Sequence, residues 1–279
     1  MSYTCLFTVL TDAELVEETL DHAIAMSHKN DAHLEVLCLG VDRSQTGYYY
    51  AGASAIVLQE TISKAQAEAE AIEAAVRKRL GGEDIRWSCS AGVSQLADMT
   101  RHIAALSRFS DLALLPMPYG EGRGVELEAA TEAVLFEGGV PVLTVPTGAK
   151  LPVTPSRIVL GWNESQEALR AARAALPLLQ AADTVHVAVI DPPTHGPSRS
   201  DPGGLLSQYL ARHGVSVEID VLSKTLPKVS DVLQRHALDA DADLLVMGAY
   251  GHSRFREAIF GGATREMLES AKIPLFLAH

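Results

Sequence analysis

The sequence predicts an α/β chain of two tandem doubly wound domains, each with a five-stranded parallel sheet. Three observations carry that expectation. Short, continuous Val/Ile/Leu runs alternate with longer stretches of helical periodicity, the pattern of parallel strands covered by helices on both faces. Landmarks recur in the same order: Leu6 to Asp12 answers Arg157 to Asn163, Asp111 to Pro116 answers Asp243 to Gly248, and Val140 to Val145 answers Ile273 to Ala278, which reads as a duplication. At 279 residues the chain is long enough for two medium domains. The boundary is expected within Thr147 to Ser156, where Gly148, Pro152 and Pro155 separate two apolar strands, giving domains 1–147 and 155–279.

The elements follow in order. In the first repeat the apolar runs read as strands Cys5 to Leu10, Leu34 to Val41, Ile85 to Ser88, Leu112 to Leu115 and Val140 to Val145. The periodic stretches between them read as helices Ala13 to Ser27, Ile56 to Leu80, Ser94 to Ser107 and Leu127 to Phe136. A polar, tyrosine-bearing loop, Arg43 to Gly52, lengthens this repeat, and Tyr48 to Tyr50 are expected to pack over their own domain. The second repeat has strands Ile158 to Trp162, Thr184 to Ile190, Ser216 to Val221, Leu244 to Met247 and Pro274 to Ala278. Its helices are Gln166 to Leu179, Gly203 to His213, Lys228 to Leu238 and Ala263 to Ser270. Asp191, Pro192 and Pro193 end its second strand.

The sharpest chemical signal lies near the C-terminus. The strand Leu244 to Met247 runs into Gly248-x-x-Gly251, then nine residues, then Gly261, Gly262, Ala263 and Thr264 at the start of a helix. Glycine permits positive φ and close approach of a ligand oxygen, and the unpaired amides of a helix N-terminus attract an anion. The pattern lacks the Lys-Ser/Thr of a Walker loop, and it falls too late in its repeat for the dinucleotide fingerprint. Taken alone, the same glycines also suit an ordinary turn.

The order of strands, the Met-Gly-x-x-Gly-x9-Gly pattern and the turn Trp162 to Ser165 resemble a tandem universal stress protein over nearly the whole chain. The resemblance implies an adenine nucleotide alpha hydrolase-like fold and binding of ATP or another adenine nucleotide, with or without Mg. By that resemblance Asn163, beside Trp162, takes the position of the acidic residue that meets base and ribose, and Ile190 gives an apolar contact. Met247, Gly248, Gly251, His252, Gly261, Gly262, Ala263 and Thr264 form the phosphate loop. Two departures stand out. Asn163 replaces Asp and carries no charge, and Gly262 stands where Ser or Thr is usual, which removes one hydroxyl donor.

The first repeat departs further. Aligned on the same strands, Gly248 becomes Pro116, Tyr250 becomes Pro118 and Gly261 becomes Glu128. Proline offers no amide hydrogen, and a carboxylate repels phosphate. Glu126 and Glu132 add to that repulsion, so the first repeat is expected to keep the fold without the phosphate loop. Arg254, Arg256 and Arg265 flank the glycines and serve either phosphates or a solvated face.

Other chemistry has little support. There is no Gly-x-Ser-x-Gly elbow, no His-Glu-x-x-His and no clustered Cys/His set, so slow ATP hydrolysis is the most that is expected. Cys5, Cys38 and Cys89 read as core thiols of a reducing compartment. A net charge of -12 and pI near 5.3 argue against nucleic acid or an anionic membrane as main partner. No apolar run approaches the roughly 20 residues that span a bilayer, and no leader pattern opens the chain, which predicts a cytoplasmic protein. Three functions remain open: a stress-response module that binds a nucleotide and an unknown protein partner, a ligand-free scaffold, and a slow hydrolase. The final strands, Val140 to Val145 and Pro274 to Ala278, suit pairing within one chain as a pseudo-dimer, with a homodimer also open.

Overall fold

A computed structural model describes residues 2–43, 55–192, 200–249 and 262–279. They fall into two compact units, Tyr3–Val140 and Pro141–His279. None of the helices among the described residues is long and apolar enough to cross a membrane.

The first unit runs β1 (Cys5–Leu10), a 3-10 turn (Ala13–Leu15), α1 (Val16–Asn30), β2 (His33–Asp42), α2 (Ala55–Leu80), β3 (Arg86–Gln95), α3 (Met99–Ser107), β4 (Leu112–Pro116) and α4 (Val125–Glu132). A π-helical turn (Ala133–Gly138) continues α4. The strands lie in the order β3-β2-β1-β4, all parallel. Helix α1 buries Val16, Leu20, Ala23 and Ile24, which recur at helical spacing on one face. Gly40 shows how tightly α2 meets the sheet: a Cβ there would lie 1.8 Å from the Ala65 carbonyl oxygen, so only glycine lets the helix backbone approach. The Arg43–Gly52 loop, with Tyr48 to Tyr50, lies outside the described residues from 44 onward.

The second unit holds β5 (Val142–Val145), β6 (Arg157–Gly161), α5 (Gln166–Ala174), α6 (Leu176–Ala181), β7 (Thr184–Ile190), α7 (Gly204–Arg212), β8 (Val217–Leu222), α8 (Val229–Asp239), β9 (Leu244–Gly248), α9 (Ala263–Ser270) and β10 (Leu275–Ala278). Its strand order is β5-β10-β9-β6-β7-β8. Ile158, Val159, Leu160, Leu244, Leu245, Val246, Phe276 and Leu277 are wholly buried along the central strands. Burial of each such side chain stabilises by about 1.5–3 kcal/mol. Strand β5 is the one antiparallel member, with Leu275 opposite Thr144, Phe276 opposite Leu143 and Leu277 opposite Val142. The fifth strand of the first repeat thus lies beside the fifth strand of the second.

Matching hydrogen bonds recur in the two units. Asp111, just before β4, accepts from Thr4 N at 2.7 Å, Thr4 Oγ1 at 2.8 Å and Cys5 N at 3.0 Å, which ties the start of β4 to that of β1. Asp243, just before β9, accepts from Ser156 N at 2.7 Å and Arg157 N at 3.1 Å and does the same for β6.

Two elements differ from the sequence reading. Strand β3 extends to Gln95 and its helix begins at Met99, because β3 pairs along the whole of β2 although Ser88, Ser90, Gly92 and Ser94 break any apolar run. The helix expected over Gln166 to Leu179 divides at Ala175, where Pro177 sits in the first turn of α6 and cannot continue the preceding helix. Strand β5, the last strand of the first repeat, also pairs antiparallel with β10.

Candidate functional site

In the second unit β6, β7 and β8 progress in one direction from β6, and β9 and β10 lie on its other side. The carboxyl ends of β6 and β9 therefore border the switch point of the winding, where open α/β sheets bind ligands. Leu160 is opposite Val246, so Gly161 to Asn163 and Met247 to Gly248 lead into the crevice together.

The β6 end is shaped by short-range hydrogen bonds. Half-buried Trp162 donates its amide to the Ala188 carbonyl at 2.9 Å, prolonging the β6–β7 ladder. Asn163 is exposed, and its Oδ1 accepts from Ser165 N at 3.2 Å. Glu164 between them takes a left-handed φ of 62°, and Ser165 Oγ caps α5 by accepting from Ala168 N at 3.1 Å. Asp12 in the first unit makes the matching turn, its Oδ1 accepting from Glu14 N at 2.9 Å. The uncharged Asn163 thus performs the same local task as an aspartate and directs the chain into α5. Ile190, half-buried, ends β7 beside β6; Asp191 follows with φ 43° and accepts from Lys224 N at 3.0 Å.

At the β9 end the structure assigns Gly248 a packing role. A Cβ on Gly248 would lie 2.5 Å from Ala168 N and 2.6 Å from the Glu167 carbonyl carbon, so the first turn of α5 rests directly on this residue. Met247 is buried, and Ala249 closes the strand by donating to the Ala278 carbonyl at 2.8 Å while its own carbonyl accepts from His279 Nδ1 at 3.0 Å. Gly251, His252 and Gly261, with Arg254 and Arg256, lie outside the described residues.

Helix α9 resumes with Gly262 as its N-cap in extended conformation, at φ -87° and ψ 153°, with no side chain capping the helix. Ala263 is half-buried and Thr264 buried. Glu266 in the first turn faces α8, accepting from Ser230 Oγ at 2.9 Å and pairing with Lys228 Nζ at 3.4 Å. These contacts set the N-termini of α8 and α9 side by side, and Leu233 Cδ1 of α8 would lie 3.4 Å from a Cβ placed on Gly161. Arg265 pairs along its own helix with Glu269 at 2.9 Å.

The matching place in the first unit is filled with carboxylates. β4 ends at Pro116, and α4 opens with Glu126 and Glu128. Glu126 is buried with its carboxylate folded against Gly124, the N-cap of α4, and binds Arg43 Nη2 at 2.6 Å; Glu128 accepts from Tyr119 Oη at 2.7 Å. The hydrogen bond that Arg43 donates to Glu126 holds its guanidinium still more firmly in the protonated form. Thr131 is buried as Thr264 is, and its hydroxyl is spent on the Leu127 carbonyl at 2.9 Å.

Family comparison gives residues 155–279 as a match to the model described as universal stress protein family. The second repeat is similar to the universal stress protein family along its length. The universal stress protein Slr1230 of Synechocystis is 28% identical over 91 residues, a match that covers 33% of this chain and 31% of that protein, so the chain spans about a third of that relative. A universal stress protein of Archaeoglobus fulgidus superposes with a TM-score of 0.64 at 15% identity over 100% of this chain and 96% of its own. One described as putative from Pseudomonas aeruginosa gives 0.59 at 15% identity over 99% and 93%. At these identities the likeness extends the universal stress protein fold to both repeats.

One constellation escaped the sequence reading. His186 of β7, Asp220 of β8 and His236 of α8 converge, although 34 and 16 residues separate Asp220 from the two histidines. No short motif announces them, because each comes from a different element. The usable signal is two histidines and an aspartate within one repeat's strand–strand–helix succession.

Proposed function

We propose that the second repeat acts as a universal stress protein domain and binds ATP or a related adenine nucleotide at the switch point between β6 and β9, in the cytoplasm, as the switch of a stress-response module, and that the first repeat binds none. The observation that carries this reading is the contrast between two helix N-termini. Both helices open on a glycine N-cap without a side-chain cap, Gly262 and Gly124, but α4 carries the buried Glu126 carboxylate in its first turn. The helix dipole favours a phosphate at the former, and a carboxylate already discourages one at the latter.

In this assignment Trp162, Asn163 and Ile190 face the nucleoside, while Gly251, Gly261, Gly262, Ala263 and Thr264 surround the phosphates and any Mg they carry. Met247 and His252 adjoin them. Gly248 contributes indirectly, by letting α5 seat against β9. With a net charge of -12, the chain attracts the anion through local dipoles rather than a global field. The glycine at 248 is equally required by a ligand-free scaffold, which makes that the second reading.

Isothermal titration with ATP, ADP and AMP tests the proposal, with one site per chain expected. Gly262→Asp is the informative variant. Its backbone is extended, aspartate is a favoured N-cap, and the helix gains a cap while the phosphate meets a carboxylate. At least a tenfold loss of affinity with an unchanged melting temperature is expected, and Gly251→Val is expected to abolish binding. Wild-type affinity in Gly262→Asp, or no binding and no thermal shift in the parent protein, overturns the assignment.

A further inference from the structure

We propose that His186, Asp220 and His236, with Glu218 as a recruitable fourth ligand, form a binding site for one divalent transition-metal cation of the zinc class. His186 Nδ1 and His236 Nε2 each lie 2.9 Å from Asp220 Oδ2, and the three donor atoms fall within 4.8 Å of one another. The two imidazoles meet almost edge to face, 6.2 Å between centroids at 81°, so they converge on the carboxylate from different directions. An ion bound at about 2.1 Å from each donor subtends close to 90° across a 2.9 Å edge, an ordinary angle between neighbouring ligands.

The setting suits a metal as well as the distances do. The side chains of His186 and His236 are only 16% and 17% exposed, and Asp220 is 27% exposed, so the donors are held in place yet reachable. Two come from adjacent, hydrogen-bonded strands and the third from a helix, which fixes their spacing better than a loop would. Glu218 stands opposite His186 in the β7–β8 register, with Oε2 4.0 Å from Nδ1 and the side chain 66% exposed, free to swing inward. Two imidazoles and carboxylate oxygens favour Zn²⁺, Co²⁺ or Ni²⁺ over the all-oxygen shells of Ca²⁺ and Mg²⁺.

The site is separate from the proposed nucleotide cleft. His186 precedes Ile190 by four strand residues, about 13 Å along β7. A bound ion would join β7, the terminal strand β8 and α8 through one centre, adding to the packing, ladder bonds and Asp220–histidine hydrogen bonds that already link them. Its consequence is a cation-dependent stability of the second unit.

The test uses the full chain, free of any affinity tag and stripped with chelator. Titration with Co²⁺ is expected to give visible d–d absorption saturating at one ion per chain and abolished by Zn²⁺. Zinc at a hundredfold excess over its Kd is expected to raise the melting temperature by about 5–10 °C. His236→Gln and Asp220→Asn are each expected to weaken Co²⁺ binding at least tenfold, while His28→Gln, a distant control, binds as the parent does. The parent spectrum decides by itself should a variant fail to fold: no saturable absorption at micromolar protein overturns the site. Folded His236→Gln and Asp220→Asn with parental affinity overturn it too. Nucleotide titration of His236→Gln, expected to match the parent, keeps this outcome separate from that of the nucleotide reading.

Discussion

Gly248→Ala separates the packing role of this residue from a ligand role. The added methyl carbon would sit 2.5 Å from Ala168 N and 2.6 Å from the Glu167 carbonyl carbon, both backbone atoms that no rotamer change can move. Restoring ordinary contact requires α5 to retreat by roughly 0.9 Å, which loosens Ala168, Ala171 and Ala172, the buried face of that helix. Overpacking of this kind costs about 1–3 kcal/mol, and backbone obstruction places it at the upper end. At about 2–4 °C per kcal/mol for a protein of this size, the melting temperature is expected to fall by about 6–10 °C in differential scanning calorimetry. Gly161→Ala is the control: its nearest neighbour is the Leu233 Cδ1 methyl at 3.4 Å, and its melting point is expected within about 2 °C of the parent. Were Gly248→Ala to melt with the parent and lose nucleotide affinity, the close seating of α5 would be refuted as the reason for glycine there.

Asp111 gives a pH-dependent test. Burial raises the pKa of its carboxyl, but hydrogen bonds from Cys5 N, Thr4 N and Thr4 Oγ1 outweigh that and hold it below the ordinary carboxylate value. A depressed folded-state pKa means that the stabilisation is present above the unfolded value near 3.9 and disappears as pH falls through the folded one. Asp111→Asn is therefore expected to lower the melting temperature by several degrees at pH 7, with the difference shrinking below about pH 4 in thermal melts. The thiols Cys38 and Cys89 lie 3.4 Å apart on neighbouring strands. The hydrogen bond between them lowers the pKa of Cys89 and raises that of Cys38, with burial adding to the rise at Cys38. Iodoacetamide at pH 8 is expected to label Cys89 several-fold faster than Cys38, read by peptide mass spectrometry; equal rates would contradict that polarity. Gly40→Ala, whose methyl would fall 1.8 Å from the Ala65 carbonyl oxygen, is expected to cost more than 3 kcal/mol in chemical unfolding.

What could be read from the chain follows the strength of its hydrophobic signal. Strands such as Ile158 to Leu160 and Leu244 to Met247 announce themselves because every residue is apolar and every residue is buried. β3 hides its second half because it is the terminal strand of its unit: Ser90, Gly92 and Ser94 interrupt any apolar run, and backbone pairing to β2 holds the strand. Pro177 was visible, but the apolar periodicity on either side of it masked the break. Gly248 was legible as a special position and misleading as to cause, since glycine serves a ligand and a helix backbone equally well. The contrast between Gly261 and Glu128, with Glu126 beside it, was present in the sequence, whereas the folding of the Glu126 carboxylate onto Gly124 and its grip on Arg43 needed coordinates. The convergence of His186, Asp220 and His236 is a product of strand register and helix placement, which no local pattern encodes.

The antiparallel seam of β5 and β10 bears on how this gene can be dissected. A fragment starting at residue 155 would lack Val142 to Val145 and leave the outer rim of β10 with bare amides and carbonyls. The nearest substitute for the missing segment is another β10, so such a fragment is expected to self-associate rim to rim. Removing Val142 to Val145 thereby exchanges an intramolecular strand partner of β10 for a concentration-dependent one.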